Sequence, residues 1–300
     1  MKIVEYIFSI TNSLDKRHKI ITIIGLKFKI KRKPECYIEE ILRKNNKALI
    51  KMMQRSITIA LQHQKTFLSF KNKHQNQEIV LIGAGPTVNK FIPINNTVYV
   101  GCNRAFLLDK VKFDYLFSID KVGIDQYYEE FLKYEGNNCI KFLGDQNLGK
   151  DFQIPESYIL KLNNVLRYKT SIGFGLSHFS LDIDSEPLLN CASVALQAMQ
   201  FILYTNPKRV YIVGIDCTVA SQKHFTGQSY QNDKRNEDAQ ALDAKNKRYW
   251  ASIKEFAQTY YPETEIISIN PVGLKGLFRD IYTNENGEYV DEKGEKVCLK

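Results

Sequence analysis

An apolar run of strand length, Glu78-Ile79-Val80-Leu81-Ile82, stops at Gly83-Ala84-Gly85-Pro86-Thr87. In open α/β sheets a strand that turns this tightly towards a helix can present backbone N–H groups to the phosphate or sugar of a nucleotide. Four more apolar runs stop at small or polar residues. Residues 97–102 end at Asn103, 113–119 at Asp120, 208–213 at Gly214 with Asp216, and 265–269 at Asn270. If these runs are parallel strands, their C-terminal ends share one edge, and polar groups far apart in sequence converge on one crevice. Asn, Asp and Gly also end strands simply because they tolerate turn geometry. The weight therefore lies in the set rather than in any single position.

Segments fit for helices fall between the runs, notably 190 to about 204 and about 236 to 260. Strands separated by helices predict an α/β fold, a mostly parallel Rossmann-like sheet with helices on both faces. After the strand at 265–269, residues 270–279 read as a short helical or turn segment with Leu274, Leu277 and Phe278 in the core. The Asn286-Gly287 pair marks a C-terminal hairpin.

Composition sets the bounds. With 300 residues, 44% apolar and 12% aromatic, the chain can bury a sizeable core plus an accessory segment, which excludes disorder as its main state. Its six cysteines contain no CxxC pair, so neither a zinc knuckle nor a disulfide framework is indicated and a reducing compartment fits best. No window reaches the roughly 18 to 20 apolar residues of a membrane span, and no signal peptide is evident. The expected location is the cytoplasm, in solution or peripheral on the inner face of the membrane.

The net charge of +9 is concentrated at the N-terminus. Residues 1–75 hold 17 Lys/Arg against 5 Asp/Glu, about +12, leaving the rest near −3. Here Leu26, Phe28 and Ile30 alternate with Lys27, Lys29 and Lys31, the period of a strand with one apolar and one cationic face. A helix is expected beyond Pro34, from about 37 to 68. We divide the chain into a basic extension of hairpin or strand plus helix, 1–76, and an α/β domain with the C-terminal hairpin, 77–300. The extension reads first as a solvated structural element, second as a surface for anionic lipid headgroups. A nucleic-acid site would need aromatic interleaving of the cations beyond the single Phe28, or a recognisable motif, and neither is present.

Ile82-Gly83-Ala84-Gly85-Pro86-Thr87, Cys102-Asn103-Arg104, the helix opening at Asn190-Cys191-Ala192-Ser193, Gly214-Ile215-Asp216 and Ile269-Asn270-Pro271 follow one another in an order and spacing that resembles the bacterial family-42 sialyltransferases. The likeness covers about 77–282. It implies a variant GT-A fold and an inverting, metal-independent transfer of a sialic acid or related 2-keto sugar acid, such as Kdo, from its CMP donor to a glycan or glycolipid of the bacterial surface. No metal or other cofactor is expected. Gly83, Gly85, Pro86 and Thr87 match the family's turn beside the nucleotide. Asn103 matches its asparagine, Arg104 stands where glutamine is common, and Asp120 falls near a donor-site asparagine. Ser193 lies close to the serine beside the donor carboxylate, while Gly214 and Asp216 match the segment next to the cytidine. The chain departs from the family at Ala84, where asparagine is usual. It departs again at Thr218, which stands at the position of a tyrosine assisting the leaving phosphate, and Tyr230 is a candidate for the second such tyrosine.

A sugar hydroxyl must lose its proton as it attacks an anomeric carbon, and a neutral imidazole with an intrinsic pKa near about 6.5 suits that task. Of five histidines, His18, His63 and His74 lie in or at the end of the extension, and His178 could equally be a packing residue. His224, in a loop after a strand end, is the candidate base, although in the family the base follows a longer lid. A departing phosphate monoester can be stabilised by hydroxyls or a helix N-terminus, for which Ser193, Thr218 and Tyr230 are available; Ser193 could also be an ordinary helix cap.

Asp182-Ile183-Asp184 offers a rival reading, a metal-dependent nucleotide-diphosphate sugar transferase with paired carboxylates. Its neighbours Ser185 and Glu186 suggest a solvated acidic turn instead. A pterin pyrophosphokinase-like protein, or a non-catalytic nucleotide-binding adaptor, is the remaining alternative. Self-association is compatible with all of these readings.

Overall fold

The computed structural model describes residues 8–13, 18–24, 26–31, 34–119, 127–145, 164–171, 178–190, 193–217, 225 and 239–299. The chain forms two compact units, Met1–Thr58 and Ile59–Lys300.

The first unit carries a three-stranded antiparallel sheet of β1 (Phe8–Asn12), β2 (His18–Ile23) and β3 (Leu26–Lys31). Ile23 pairs with Leu26 and Ile21 with Phe28, so the chain reverses tightly at Ile24, which takes a left-handed φ of +50°. Helix α1 (Pro34–Phe67) follows and continues into the second unit.

In the second unit the described residues form nine strands: β4 (Glu78–Ile82), β5 (Val98–Cys102), β6 (Tyr115–Ser118), β7 (Ile140–Asp145), β8 (Val165–Lys169), β9 (Arg209–Val213), β10 (Glu265–Ile269), β11 (Arg279–Thr283) and β12 (Tyr289–Val290). Their order across the sheet is β12-β11-β10-β9-β4-β5-β6-β7-β8. Every pairing is parallel except β11 with β12. This is a doubly wound sheet. The chain lays β4 to β8 outwards in one direction, then returns through α3 (Val194–Tyr204) to place β9 on the other side of β4.

Both faces of the central strands are covered, which is why β4 reads as a continuous apolar run. Ile79 and Leu81 face a core that includes Phe67, Phe142, Phe201, and Trp250 of α4 (Ala239–Tyr260). Val80 and Ile82 face a second core with Val213, Ile267 and Phe131 of α2 (Tyr128–Lys133). The end of α1 belongs with this body: Phe67 is fully buried and stacks on Phe142 at 5.6 Å. At the N-terminal edge, Arg209 bridges Glu78 (2.7 Å) and Glu265 (2.6 Å), and Glu265 also meets Arg279 (2.8 Å), so one charge network ties β4, β9, β10 and β11.

In the second unit three strands go beyond the sequence reading. β7 and β8 do not stand out in the sequence because their apolar runs are broken by Lys141, Gly144, Arg167 and Lys169. Lys141 is nonetheless buried, its position imposed by pairing with β6 and β8. β11 shows that residues 265–269 are not the last parallel strand. The expected hairpin forms between β11 and β12, with Gly287 at φ +74°. Leu274 is buried in the turn before β11, while Leu277 and Phe278 are half-buried. The helix expected from 190 begins at Val194, with Ser193 at its N-cap.

Candidate functional site

Between β4 and β9 the strand order reverses, and the register sets Ile82 directly beside Val213. The segments leaving these two strands diverge at the C-terminal edge, the place where doubly wound sheets open a ligand crevice. From β4 come Gly83, Ala84, Gly85 and the 3₁₀ segment Pro86–Lys90; from β9 come Gly214, Ile215, Asp216 and Cys217.

These two segments are laced together. Gly83 N–H donates to Val213 O and Gly85 N–H to Gly214 O, both at 2.8 Å. Thr87 donates its hydroxyl to Asp216 Oδ1 and its backbone N–H to Asp216 Oδ2 at 3.3 Å. The sequence predicts that the amides of the glycine turn are free to meet a nucleotide. The structure corrects this for Gly83, Gly85 and Thr87, whose N–H groups are spent on Val213, Gly214 and Asp216, at and just beyond the end of β9. The absent side chain of Gly85 serves the same closure: a Cβ there would stand 2.5 Å from Asp216 Oδ2. Gly214 takes a left-handed φ of +65°, which turns the chain out of β9 towards Asp216.

Asp216 is only 6% exposed, and burial pushes its carboxyl above the usual range, offset in part by the two bonds from Thr87. Its own carbonyl accepts Gly273 N–H at 2.8 Å, which ties in the turn after β10. Cys217 has a φ of +45°, unusual for a residue other than Asn or Gly, and burial pushes its thiol up to about 12. Strain of this kind is retained where neighbouring contacts dictate it. A cleft of about 10 Å³, lined by Thr87, Asp216, Ser268 and Asn270 among others, opens beside them and has room for about one water. Ser268 Oγ is buried without a protein partner.

Other predicted residues lie around this edge. Asn103 follows β5, the neighbour of β4, at φ +51°, and its Oδ1 is buried with no partner. Arg104 is buried in the same 3₁₀ turn, Asn103–Leu107. Ser193 caps the start of α3 without a side-chain capping bond. Only four residues join the end of α3 to Arg209 at the N-terminal edge, and the eleven residues of α3 span about 16 Å, roughly a strand length. The N-terminus of α3 therefore lies towards the same C-terminal edge. One turn further in, Gln197 is fully buried; its Oε1 accepts Tyr168 O–H at 2.6 Å and its Nε2 has no partner. Sequence reading passed over Gln197 and Ser268, and only an unexplained polar residue within an apolar run could have flagged them.

Asp120, Thr218, His224 and Tyr230 lie outside the described residues. The residue after His224 is anchored to the site: Phe225 donates its N–H to Ala84 O at 3.0 Å. Two of the histidines set aside as part of the extension, His63 and His74, prove to be structural groups of the body. His63 is fully buried against Ile183 and Lys169, and His74 bonds Gln77 and Tyr115. Asp182 meets Lys71 at 3.1 Å in an exposed pair, and its carbonyl accepts the N–H groups of Ser185 and Glu186, so Asp182-Ile183-Asp184 is a turn. Among the described residues no three His, Cys, Asp or Glu side chains cluster as a metal site would require. No described helix is long and apolar enough to cross a membrane. A cavity of about 340 Å³ lies elsewhere, between α4 and the start of β11, lined by Lys254, Tyr261, Phe278 and Arg279 among others.

Neither a protein-family profile nor a curated protein matches the sequence. Among solved structures, the sialyltransferase CstII from Campylobacter jejuni, in complex with the substrate analogue CMP-3FNeuAc, is similar with a TM-score of 0.37 and 13% identity, over 64% of this chain and 80% of that one. The monofunctional α-2,3-sialyltransferase Cst-I from Campylobacter jejuni gives a TM-score of 0.38 and 14% identity, over 64% of this chain and 75% of that one. At this level of likeness the chemistry of the site has to be read from the chain's own residues.

Proposed function

We propose that this protein is an inverting, metal-independent glycosyltransferase. It moves a sialic acid or related 2-keto sugar acid, such as Kdo, from its CMP donor to a glycan or glycolipid hydroxyl in bacterial surface-polysaccharide or lipooligosaccharide synthesis, at the inner face of the cytoplasmic membrane. The observation that carries the reading is the meeting of Gly83, Gly85, Thr87 and Asp216 at the switch point. These are the residues through which the sequence resembles family-42 sialyltransferases, and the switch point is the fold's natural nucleotide crevice.

In the proposed reaction His224 takes the proton of the acceptor hydroxyl as that oxygen attacks the anomeric carbon. One displacement inverts the configuration, and CMP departs as a phosphate monoester. Ser193 at the start of α3, with Thr218 and Tyr230, donates hydrogen bonds to that phosphate, and the positive end of α3 favours its charge. Asp216, with both carboxylate oxygens engaged by Thr87, acts as a brace for the turn. The unpaired Oδ1 of Asn103 is an acceptor suited to an amino group of the base.

Thermal shift with CMP, UDP, GDP and ATP, each with Mn²⁺ and with chelator, tests the reading, because a ligand that binds only the folded state raises its apparent stability. Stabilisation by CMP unaffected by chelator is expected. Stabilisation by UDP that needs Mn²⁺ would replace this reading with the Asp182/Asp184 transferase, and no nucleotide response at all would make the body a scaffold.

A further inference from the structure

The first unit shows water an unusual amount of organised apolar surface. The register of the small sheet places Ile10, Ile21, Ile23, Leu26, Phe28 and Ile30 on one face. Leu26 is 67% exposed and Phe28 50%. At the tip of the β2–β3 turn stands Ile24, 76% exposed. A β-branched residue is a poor choice for a left-handed φ, where Asn or Gly costs least. Among described non-glycine residues with positive φ, only Ile24 and Cys217 are not asparagine.

Helix α1 repeats the pattern. Ile38, Leu42, Leu49, Met53 and Ile57, each more than half exposed, fall within about 100° of arc at 3.6 residues per turn, with Lys44, Lys47, Lys51 and Arg55 on the opposite side. Lys27, Lys29 and Lys31 share the reverse face of the sheet, about one Debye length or less from the apolar face.

We propose that the apolar sheet face of β1–β3, the Ile24 tip and the apolar arc of α1 insert into the interfacial layer of an anionic lipid bilayer, while Lys19 on that same sheet face and the cations of the reverse faces, within about a Debye length, are held by its headgroup charge. The inference deepens the peripheral location given above, and rests on that reading only for the bacterial setting. Charge decides between the possible occupants. A second copy of the chain would bring another segment of about +12 against the first, whereas an anionic bilayer supplies both the apolar depth and the opposite charge. A hairpin tip with a large apolar side chain is poorly suited to water and well suited to the headgroup boundary.

Co-sedimentation of the full chain with vesicles of phosphatidylcholine alone, or with phosphatidylglycerol added, tests this. Strong partition into the anionic vesicles, weakened by salt, is expected. Replacing Lys27, Lys29 and Lys31 with Gln should weaken it about 100-fold, each cation near such a surface contributing about fivefold. Phe28→Asp should weaken it about tenfold or more through the lost apolar contact. Both variants should keep the response to CMP of the unaltered chain, which reports on the folded body. Equal binding to neutral and anionic vesicles, no binding, or a dimer seen by light scattering that Phe28→Asp abolishes would overturn the proposal. If the vesicle results hold and CMP gives no stabilisation, the transferase reading fails alone; the converse result removes only the membrane surface.

Discussion

Thr87 and Asp216, 129 residues apart in sequence, share a hydroxyl–carboxylate bond and a backbone N–H bond across the gap between β4 and β9. Together with the Gly83 and Gly85 amides bonded to the end of β9, this pair makes the rim of the proposed nucleotide crevice a single braced structure. The carboxylate is buried and its charged form is sustained in the described structure by Thr87, so the two residues should behave as a unit.

A double-mutant cycle measures that unit. Thr87→Ala and Asp216→Ala are each expected to lower stability, with a coupling energy of about 1 to 3 kcal/mol, in the range of hydrogen bonds to charged groups. Urea denaturation of the four proteins supplies the number. Additive losses would show that the bonds contribute nothing jointly.

Gly85→Ala should cost about 1 to 3 kcal/mol, because its new methyl would sit 2.5 Å from Asp216 Oδ2 and 2.7 Å from Gly214 O. Placed in an Asp216→Ser background, the same change should cost less, since one of the two clashes is gone. Melting temperatures of both pairs decide it, and an equal cost in the two backgrounds would locate the strain at the backbone alone.

His224→Ala should reduce turnover about 10²- to 10⁴-fold, the usual range for removing a general base, while leaving stabilisation by CMP intact. Initial rates with a CMP-activated sialic acid and a soluble glycan acceptor measure the effect. Near-normal turnover would remove His224 from the mechanism.

Stability should fall as the solution is acidified through the histidine range. A backbone N–H can only donate and a carbonyl can only accept, so His63 is held neutral: its Nδ1–H donates to Ile183 O (2.8 Å) and its Nε2 accepts from Lys169 N–H (2.7 Å). Burial lowers its pKa below the ordinary 6.5, and burial does the same to His74. A base with a depressed folded-state pKa gives its full contribution above its unfolded pKa and loses it as pH drops below that value towards the folded one. Urea midpoints from pH 7.5 to about 5 should therefore decline, and His63→Gln should flatten part of the slope. A slope unchanged by that substitution would assign the decline to other groups.

The strand ends at Ile82, Cys102 and Ile269 were legible because each closes a short apolar run with a residue suited to a turn, a signal carried by neighbouring residues alone. The strands β7 and β8 were not legible, since their charged and glycine positions are tolerated only through cover by Phe67 and through pairing of β7 to β6 and of β8 to β7. His63 and His74 illustrate the same gap. By sequence they belong to a basic arm; by contact they are satisfied donors and acceptors inside the body. Of the predicted site, Gly83, Gly85, Thr87, Gly214 and Asp216 come together, Asn103 and Ser193 lie along the same edge, and the amides assigned to a ligand are used internally.

Local sequence thus determined where strands and turns fall, the charge asymmetry and the period-two pattern of Leu26 to Lys31, because these depend on side-chain alternation and on residues within a few positions. The tertiary structure alone decided that β9 returns beside β4, that Asp216 turns onto Thr87, and that the apolar faces of β3 and α1 stay in contact with water. The first two of these outcomes depend on pairings across more than a hundred residues, and all three on which surfaces meet rather than on what any segment prefers by itself.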